Sequence, residues 1–245
     1  MERKSFLRTF AVAAAAGPML IEACKKDSVA NTTDTSVTTT STNGSTCTVT
    51  PTEVEGPYPY ASGEINNPLN RSNISGGQTG VPLAINFVVV NTNDNCNVVS
   101  GARIDIWHCN KDGYYSGYGN QNSVLGTKSY IGETWLRGYQ LTDTSGIAKF
   151  STIYPGWYSG RATHIHIEVF ISNVLKKTSQ MAFSEAISDV VHVSTLYAAH
   201  GINTTRNTGD QIFANSAADL ANEIIALTGS VSAGYSGSFT IGLAL

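Results

Sequence analysis

A chain of 245 residues is long enough for one large β domain or two small ones. Its 15 Lys and Arg against 18 Asp and Glu give a net charge of −3, so no basic field exists to draw in nucleic acid. The chain is rich in Gly, Ser, Thr, Asn and Tyr, which suits strands and turns more than helices.

Residues 1–24 read as a targeting segment. Arg3, Lys4 and Arg8 form a charged start, and Phe10 to Ile21 is an apolar run too short to span a bilayer. The run closes on Ile21-Glu22-Ala23-Cys24, which resembles a bacterial lipoprotein signal. That ending implies a lipid on Cys24 as the only membrane attachment of an exported protein. A plain secretory peptide cut near Ala16, releasing a soluble protein, is the alternative. Arg3-Lys4-Ser5-Phe6-Leu7-Arg8 is similar to a twin-arginine export motif with lysine in second place, which leaves the export route open. Residues 25–46 are dominated by Ser, Thr, Asn and Asp, cannot bury enough surface to offset their ordering entropy, and are expected to form a flexible tether. The folded domain is expected over 47–245. It retains Cys47, Cys96 and Cys109, and export permits a disulfide. Cys96 and Cys109 flank one strand and can be bridged. Spacing equally allows either to pair with Cys47, and the odd count leaves one over.

Pro51 to Tyr58 opens the domain as a turn-rich extended segment. Leu83 to Val90 reads as a strand buried on both faces. Ala102 to His108 alternates, with Ile104, Ile106 and His108 on one side. Lys111-Asp112-Gly113 is a turn, and Gly119 to Glu133 a loop. Leu136 to Leu141 and Ile147 to Ile153, joined by a turn ending in Gly146, read as a hairpin. After the short turn at Ser172-Asn173 comes a strand over Val174 to Phe183. Asp189 to Ala199 is a helix candidate. Ala217 to Leu227 has helical composition, with a terminal hairpin as the alternative. The whole indicates an all-β, two-sheet sandwich with long loops and one or two short helices.

Between the second hairpin strand and Ser172 lies Tyr154-Pro155-Gly156-Trp157-Tyr158-Ser159-Gly160-Arg161-Ala162-Thr163-His164-Ile165-His166. From His164 onward it alternates as a half-buried strand does. His164 and His166 therefore share one face, roughly 6–7 Å apart at the backbone, near enough for both imidazoles to reach one metal ion. Ile165, Ile167 and Val169 take the core face. The Pro155-Gly156 turn lets Tyr158 and Arg161 fold back over the histidines.

This segment joins three others: Trp107-His108-Cys109-Asn110-Lys111-Asp112-Gly113-Tyr114-Tyr115-Ser116, Leu136 to Asp143, and Glu55-Gly56-Pro57-Tyr58. Together, in their order along the chain, they resemble the intradiol ring-cleavage dioxygenases, the family of catechol 1,2-dioxygenase and protocatechuate 3,4-dioxygenase. The resemblance covers roughly Cys47 to Phe183. It implies one Fe(III) per chain with Tyr115, Tyr158, His164 and His166 as ligands. It also implies an active-site arginine at Arg161 and a substrate-proximal glutamine at Gln180. The implied substrates are a small aromatic diol of the catechol type and O2, and the product a cis,cis-muconate-type diacid.

These residue types suit that chemistry. Phenolates are hard anionic donors that favour Fe(III), two neutral imidazoles complete the set, and a trivalent cation deprotonates phenols despite an unperturbed pKa near 10. A diol would bind as a dianion, with Tyr158 able to take a proton and Arg161 stabilising charge that develops on the ring. Tyr114 beside Tyr115 is the main ambiguity among the tyrosines. His108, His192 and His200 read as structural or solvated, and Trp107 as a core aromatic. Two other readings compete: a surface-tethered sandwich that binds without turnover, and a Zn(II) or Fe(II) site on His164, His166 and Glu168. The particular diol and the oligomeric state stay open.

Overall fold

Strand β1, Pro82–Asn91, alternates from Pro82 to Phe87, with Leu83, Ile85 and Phe87 turned inward and Pro82, Ala84 and Asn86 outward, and then buries both Val89 and Val90. Up to Phe87 it is buried on one face, not on both as its apolar run suggested. Each inward side chain contributes about 1.5–3 kcal/mol by leaving water. The computed structural model describes residues 47–60 and 69–245. The export signal, Cys24 and the 25–46 tether lie outside the described residues.

β2 is Asn97–Val98, β3 Arg103–Trp107, β4 Gln121–Ser123 and β5 Gly126–Lys128. β6 is Arg137–Leu141, β7 Ile147–Ile153, β8 His164–Ile171 and β9 Val174–Phe183. Helix α1, Glu185–His192, is followed by a 3-10 turn at Asn207–Gly209 and helix α2, Ala217–Glu223. β10, Ile224–Ser230, and β11, Gly234–Leu243, end the chain as an antiparallel hairpin. The described part is thus mostly β with two short helices.

Two separate sheets were expected. The strands instead join into one curled sheet of nine, ordered β2-β1-β11-β10-β9-β8-β3-β6 with β7 beside β1, and β4-β5 forms a small second sheet inside the expected 119–133 loop. β10 is the link, antiparallel to β11 and parallel to β9. Inward residues of both halves, among them Leu83, Phe87, Ile104, Ile167, Met181 and Ile241, share one core cluster.

The hairpin expected of β6 and β7 does not form: β6 pairs with β3, and β7 pairs with β1. The turn itself is present, with Asp143 Oδ1 accepting the N–H groups of Ser145 and Ile147 at 2.8 and 3.0 Å. Thr142 decides where β6 goes. Its N–H donates to the Ala102 carbonyl at 2.8 Å and its hydroxyl accepts the Ala102 N–H at 2.9 Å, tying the end of β6 to the start of β3. The two-residue turn between β8 and β9 is as expected, with Ser172 and Asn173 both at positive φ, the twist such hairpins need.

α1 begins four residues before the expected start and ends at His192, after which the chain breaks into turns. Ser184 holds the N-cap position without a side-chain cap bond, and Glu185 places a negative charge in the first turn. At the carboxyl end both expected alternatives occur in series. α2 is capped by Ser216 Oγ, which accepts the Asp219 N–H at 3.0 Å, and it passes directly into β10. Among the described residues no helix is long and apolar enough to cross a membrane.

Cys47 is bridged to Cys96, and Cys109, the partner first considered for Cys96, is free and buried. The bridge closes a loop of 49 residues and ties the start of the domain to the β1–β2 turn. Reduction, or Cys47→Ser, should cost roughly 3 kcal/mol through the freed unfolded chain. Urea melts with and without reductant measure it, and coincident midpoints would contradict it.

Candidate metal centre

The site stands on the face of β3, β8 and β9 that points away from the shared core. Register places Trp107 opposite His166 and His166 opposite Gln180, so three side chains line up across three strands. Trp107 lies flat on the His166 ring, with centroids 4.9 Å apart and planes 4° from parallel. Ile165 and Ile167 fall into the core, as the alternation required.

Both histidines are buried, and their Nε2 atoms are 3.0 Å apart. Tyr115 Oη sits 3.4 Å from His164 Nε2 and 3.1 Å from His166 Nε2. The centre of such a triangle is about 2 Å from each corner, the length of a metal–imidazole bond. The Ala162 carbonyl, 2.6 Å from His164 Nδ1, can only accept, so Nδ1 carries the proton and Nε2 offers its lone pair to the triangle. Burial holds His164 down to about 3 and His166 well below the usual histidine range, and it raises Tyr115 well above the usual phenol range. Two neutral imidazoles and one phenol therefore face one point. A cation at the centre satisfies all three donors and reverses the pKa order of the phenol.

Tyr115 arrives on a loop pinned by three contacts. Gly113, at φ +84°, lies so close to the Trp157 backbone that an added Cβ would stand 2.1 Å from its carbonyl oxygen, and the Gly156 N–H donates to the Asn110 carbonyl at 3.1 Å. The Tyr115 and Tyr158 loops are thus packed backbone to backbone. Gln121 then clamps Tyr115 itself, accepting its N–H at 2.6 Å and donating to its carbonyl at 2.8 Å. Tyr114 points elsewhere, its hydroxyl donating to the Gly126 carbonyl at 2.7 Å, which separates the two neighbouring tyrosines.

Tyr158 is half-buried and packs edge-on to His164 and Tyr115, with centroids 5.5 and 5.8 Å away. Its hydroxyl accepts from Arg161 Nη1 at 3.2 Å. Burial, outweighing the nearby guanidinium, pushes the Tyr158 phenol up to about 12. Arg161 also donates from Nε to Asp210 at 2.9 Å and from Nη2 to Gln180 Oε1 at 2.6 Å. Gln180 Nε2 in turn donates to the Val54 carbonyl at 2.8 Å, so both ends of its amide are engaged by the protein. Tyr58 stacks on Tyr115 at 4.5 Å, and Gly56, at φ +81°, packs on His166. A cavity of about 460 Å³ opens beside Tyr158 and Arg161, walled by Val54, Gly56, Pro57 and Ile212.

Glu168 does not join the histidines. Among the described residues no three His, Cys, Asp or Glu side chains are placed to share a metal, and Glu168 accepts from Thr178 across β8 and β9. His108 bridges the Cys109 carbonyl and Thr152, while His192 and His200 are buried beside Tyr154 and Trp157, so all three are structural. Trp157 donates to the Gly201 carbonyl and is structural too. Asp210 and Gln121 were not found from the sequence. They lie 49 and 6 residues from the groups they hold, with no motif to mark them.

A family model described as "Dioxygenase" matches residues 54–211, which include Tyr115, Tyr158, Arg161, His164, His166, Gln180 and Asp210. The chain belongs to the intradiol ring-cleavage dioxygenases. Catechol 1,2-dioxygenase 1 of Acinetobacter lwoffii is 26% identical over 148 residues, 53% of this chain and 45% of that relative. The match thus spans less than half of the curated relative. An intradiol ring-cleavage dioxygenase from Tetranychus urticae is 28% identical, with a TM-score of 0.70 over 80% of this chain and 95% of that one. The dioxygenase domain of a carbohydrate-binding fusion from Streptomyces sp. SirexAA-E, at 22% identity and a TM-score of 0.57 over 81% and 99%, shares the fold.

Proposed function

We propose that this intradiol dioxygenase holds Fe(III) on Tyr115, Tyr158, His164 and His166. With O2 it opens a catechol-type diol between its hydroxyl carbons to give a cis,cis-muconate-type diacid. The observation that carries the reading is the triangle of Tyr115 Oη and the two Nε2 atoms, with Tyr158 and Arg161 at the cavity beside it. When bound, the iron supplies a Lewis acid that gathers the diol oxygens and readies the ring for O2.

The chain's own residues do the rest. Tyr115 and the histidines are buried and fixed, so they hold. Tyr158 is half-exposed beside the cavity and is placed to take a proton from the incoming diol. Arg161 Nη1 points at Tyr158 and puts a preorganised positive charge beside the ring as it gains electron density. Gln180 acts through Arg161, holding Nη2. The Val54–Tyr58 strap covers His166 and Tyr115 and limits water. The curled sheet with one shared core is read as the two-layer β-sandwich of this family, and its likeness to the Tetranychus urticae structure supports that.

Oxygen uptake by the iron-loaded protein, against a panel of aromatic diols with ultraviolet detection of the diacid, tests the reading. One O2 consumed per diol is expected. No uptake with any diol, in protein shown to hold iron, would favour a non-catalytic binding module. Gly56→Ala should lower kcat/KM ten- to hundredfold, because its Cβ would stand 2.8 Å from His166 Cε1 and displace the strap. Unchanged kinetics would remove the strap from the mechanism.

The charged start, the apolar run, Ala23-Cys24 and the Cys47–Cys96 disulfide also support an exported protein lipidated at Cys24. Mass spectrometry of the membrane fraction should find the lipid on Cys24, and Cys24→Ala should release the protein. A mature chain beginning elsewhere, without lipid, would contradict this.

A further inference from the structure

Arg161 brings positive charge to the cavity, and a residue outside every motif sets its orientation. Asp210 follows the 3-10 turn at Asn207–Gly209 and is fully buried. Its Oδ2 accepts from Arg161 Nε at 2.9 Å and from the Ala162 N–H at 2.6 Å. Its Oδ1 accepts the N–H groups of Ile212 at 2.8 Å and Phe213 at 3.3 Å. Four donors thus fix the carboxylate, three of them backbone groups that cannot turn away. Gln180 holds Nη2 from the other side, and Asn203 Nδ2 donates to the Arg161 carbonyl at 2.9 Å. Nη1 is the nitrogen left to meet Tyr158.

We propose that Asp210 is a positioning residue for ring cleavage: its four-fold-held carboxylate locks the Arg161 guanidinium so that Nη1 faces Tyr158 and the bound diol. The proposal rests on the reading that the cavity takes the diol. A guanidinium ends a flexible stem, and one misplaced by 1 Å loses most of its effect on charge that exists only fleetingly. Two further features favour orientation over mere burial of a charge. Each of the three guanidinium nitrogens has a different partner, so turning the planar group about Cδ–Nε breaks all three contacts at once. The same carboxylate also ties the cavity wall at Gln211 and Ile212 to the backbone of Ala162, so wall and charge keep a constant separation.

The experiment is a double-mutant cycle on the iron-loaded full chain. It is read by oxygen uptake with catechol, by anaerobic catechol binding followed through the visible phenolate-to-iron charge-transfer absorption expected of the proposed site, and by iron content. Asp210→Asn keeps the shape but puts an amide N–H2 where donors already converge. Its kcat is expected to fall about ten- to hundredfold, with iron content and anaerobic catechol affinity within about threefold of the parent. In an Arg161→Ala background the same change is expected to alter kcat less than about twofold, since the two residues act as one unit. Losses that multiply would make Asp210 a structural residue only and overturn the proposal.

Arg161→Lys gives an answer that does not need Asp210→Asn to fold. An ammonium drawn to Asp210 cannot also reach Tyr158, so kcat should drop nearly as far as in Arg161→Ala. Retention of a third or more of the parental kcat would show that charge alone suffices, against the proposal. Failure of the unsubstituted protein to consume O2 with any diol would instead sink the ring-cleavage reading beneath it, and the two failures appear in different proteins.

Discussion

Tyr115→Phe is expected to leave a folded protein that loses iron readily, has little visible colour and turns over diols at less than about a thousandth of the parental rate. The side chain is fully buried, and its oxygen supplies one corner of the triangle with the two Nε2 atoms. Removing it takes an anionic donor from a trivalent ion and leaves two neutral imidazoles with Tyr158, a donor set that no longer favours Fe(III). The ring stays, so the stacking on Tyr58 and the Gln121 clamp on the backbone persist, and stability should change little. Iron content after gel filtration and the visible spectrum measure the effect. Unchanged iron and colour would remove Tyr115 from the coordination sphere and leave Tyr114, whose hydroxyl is on the Gly126 carbonyl, no better placed.

Arg161→Ala should separate binding of the ion from chemistry on the ring. The guanidinium touches Tyr158, Gln180 and Asp210 and none of the three corner atoms. Iron should therefore remain. A preorganised donor beside developing charge contributes roughly 10²–10³ in kcat, about 2.7–4 kcal/mol, and that loss is expected with KM moving much less. The variant also leaves Asp210 buried without its cation, so the melting temperature should fall by several degrees. Steady-state oxygen uptake gives kcat and KM separately. A kcat within threefold of the parent would make Arg161 a structural cation.

The strand that carries His164 and His166 was readable because its signal is local. Alternation from His164 to Val169 fixes which side chains share a face whatever the rest of the fold does, and His164–Ile171 is a strand with those faces. Tyr115 and Tyr158 are what the family resemblance implies, and the fold brings both beside the two histidines. The largest misses are non-local. The turn at Asp143 forms as its residues dictate, yet Thr142 bonding to Ala102 decides the partner of β6, and nothing between residues 136 and 153 encodes that. Cysteine spacing admits several pairings, and the fold selects Cys47 with Cys96 by bringing the domain's first residues beside the β1–β2 turn. Asp210 is an ordinary turn aspartate in sequence and becomes part of the site only when the 207–213 segment folds back on Ala162.

The arrangement also explains why a neutral, buried cluster suits its task. Two imidazoles held uncharged by burial cost little to bring together, whereas two charged ones would not stay 3.0 Å apart. In the proposed reading the protein pre-forms the ligand geometry, and the charge of a bound ion would ionise the phenols.

A crystal structure of the iron-loaded protein, with anomalous difference density collected at the iron edge, tests the coordination sphere most directly. The expected result is one strong peak about 2 Å from Tyr115 Oη, His164 Nε2 and His166 Nε2, with the Tyr158 oxygen turned toward it. An iron peak elsewhere, or one bonded to Glu168 in place of the tyrosines, would contradict it.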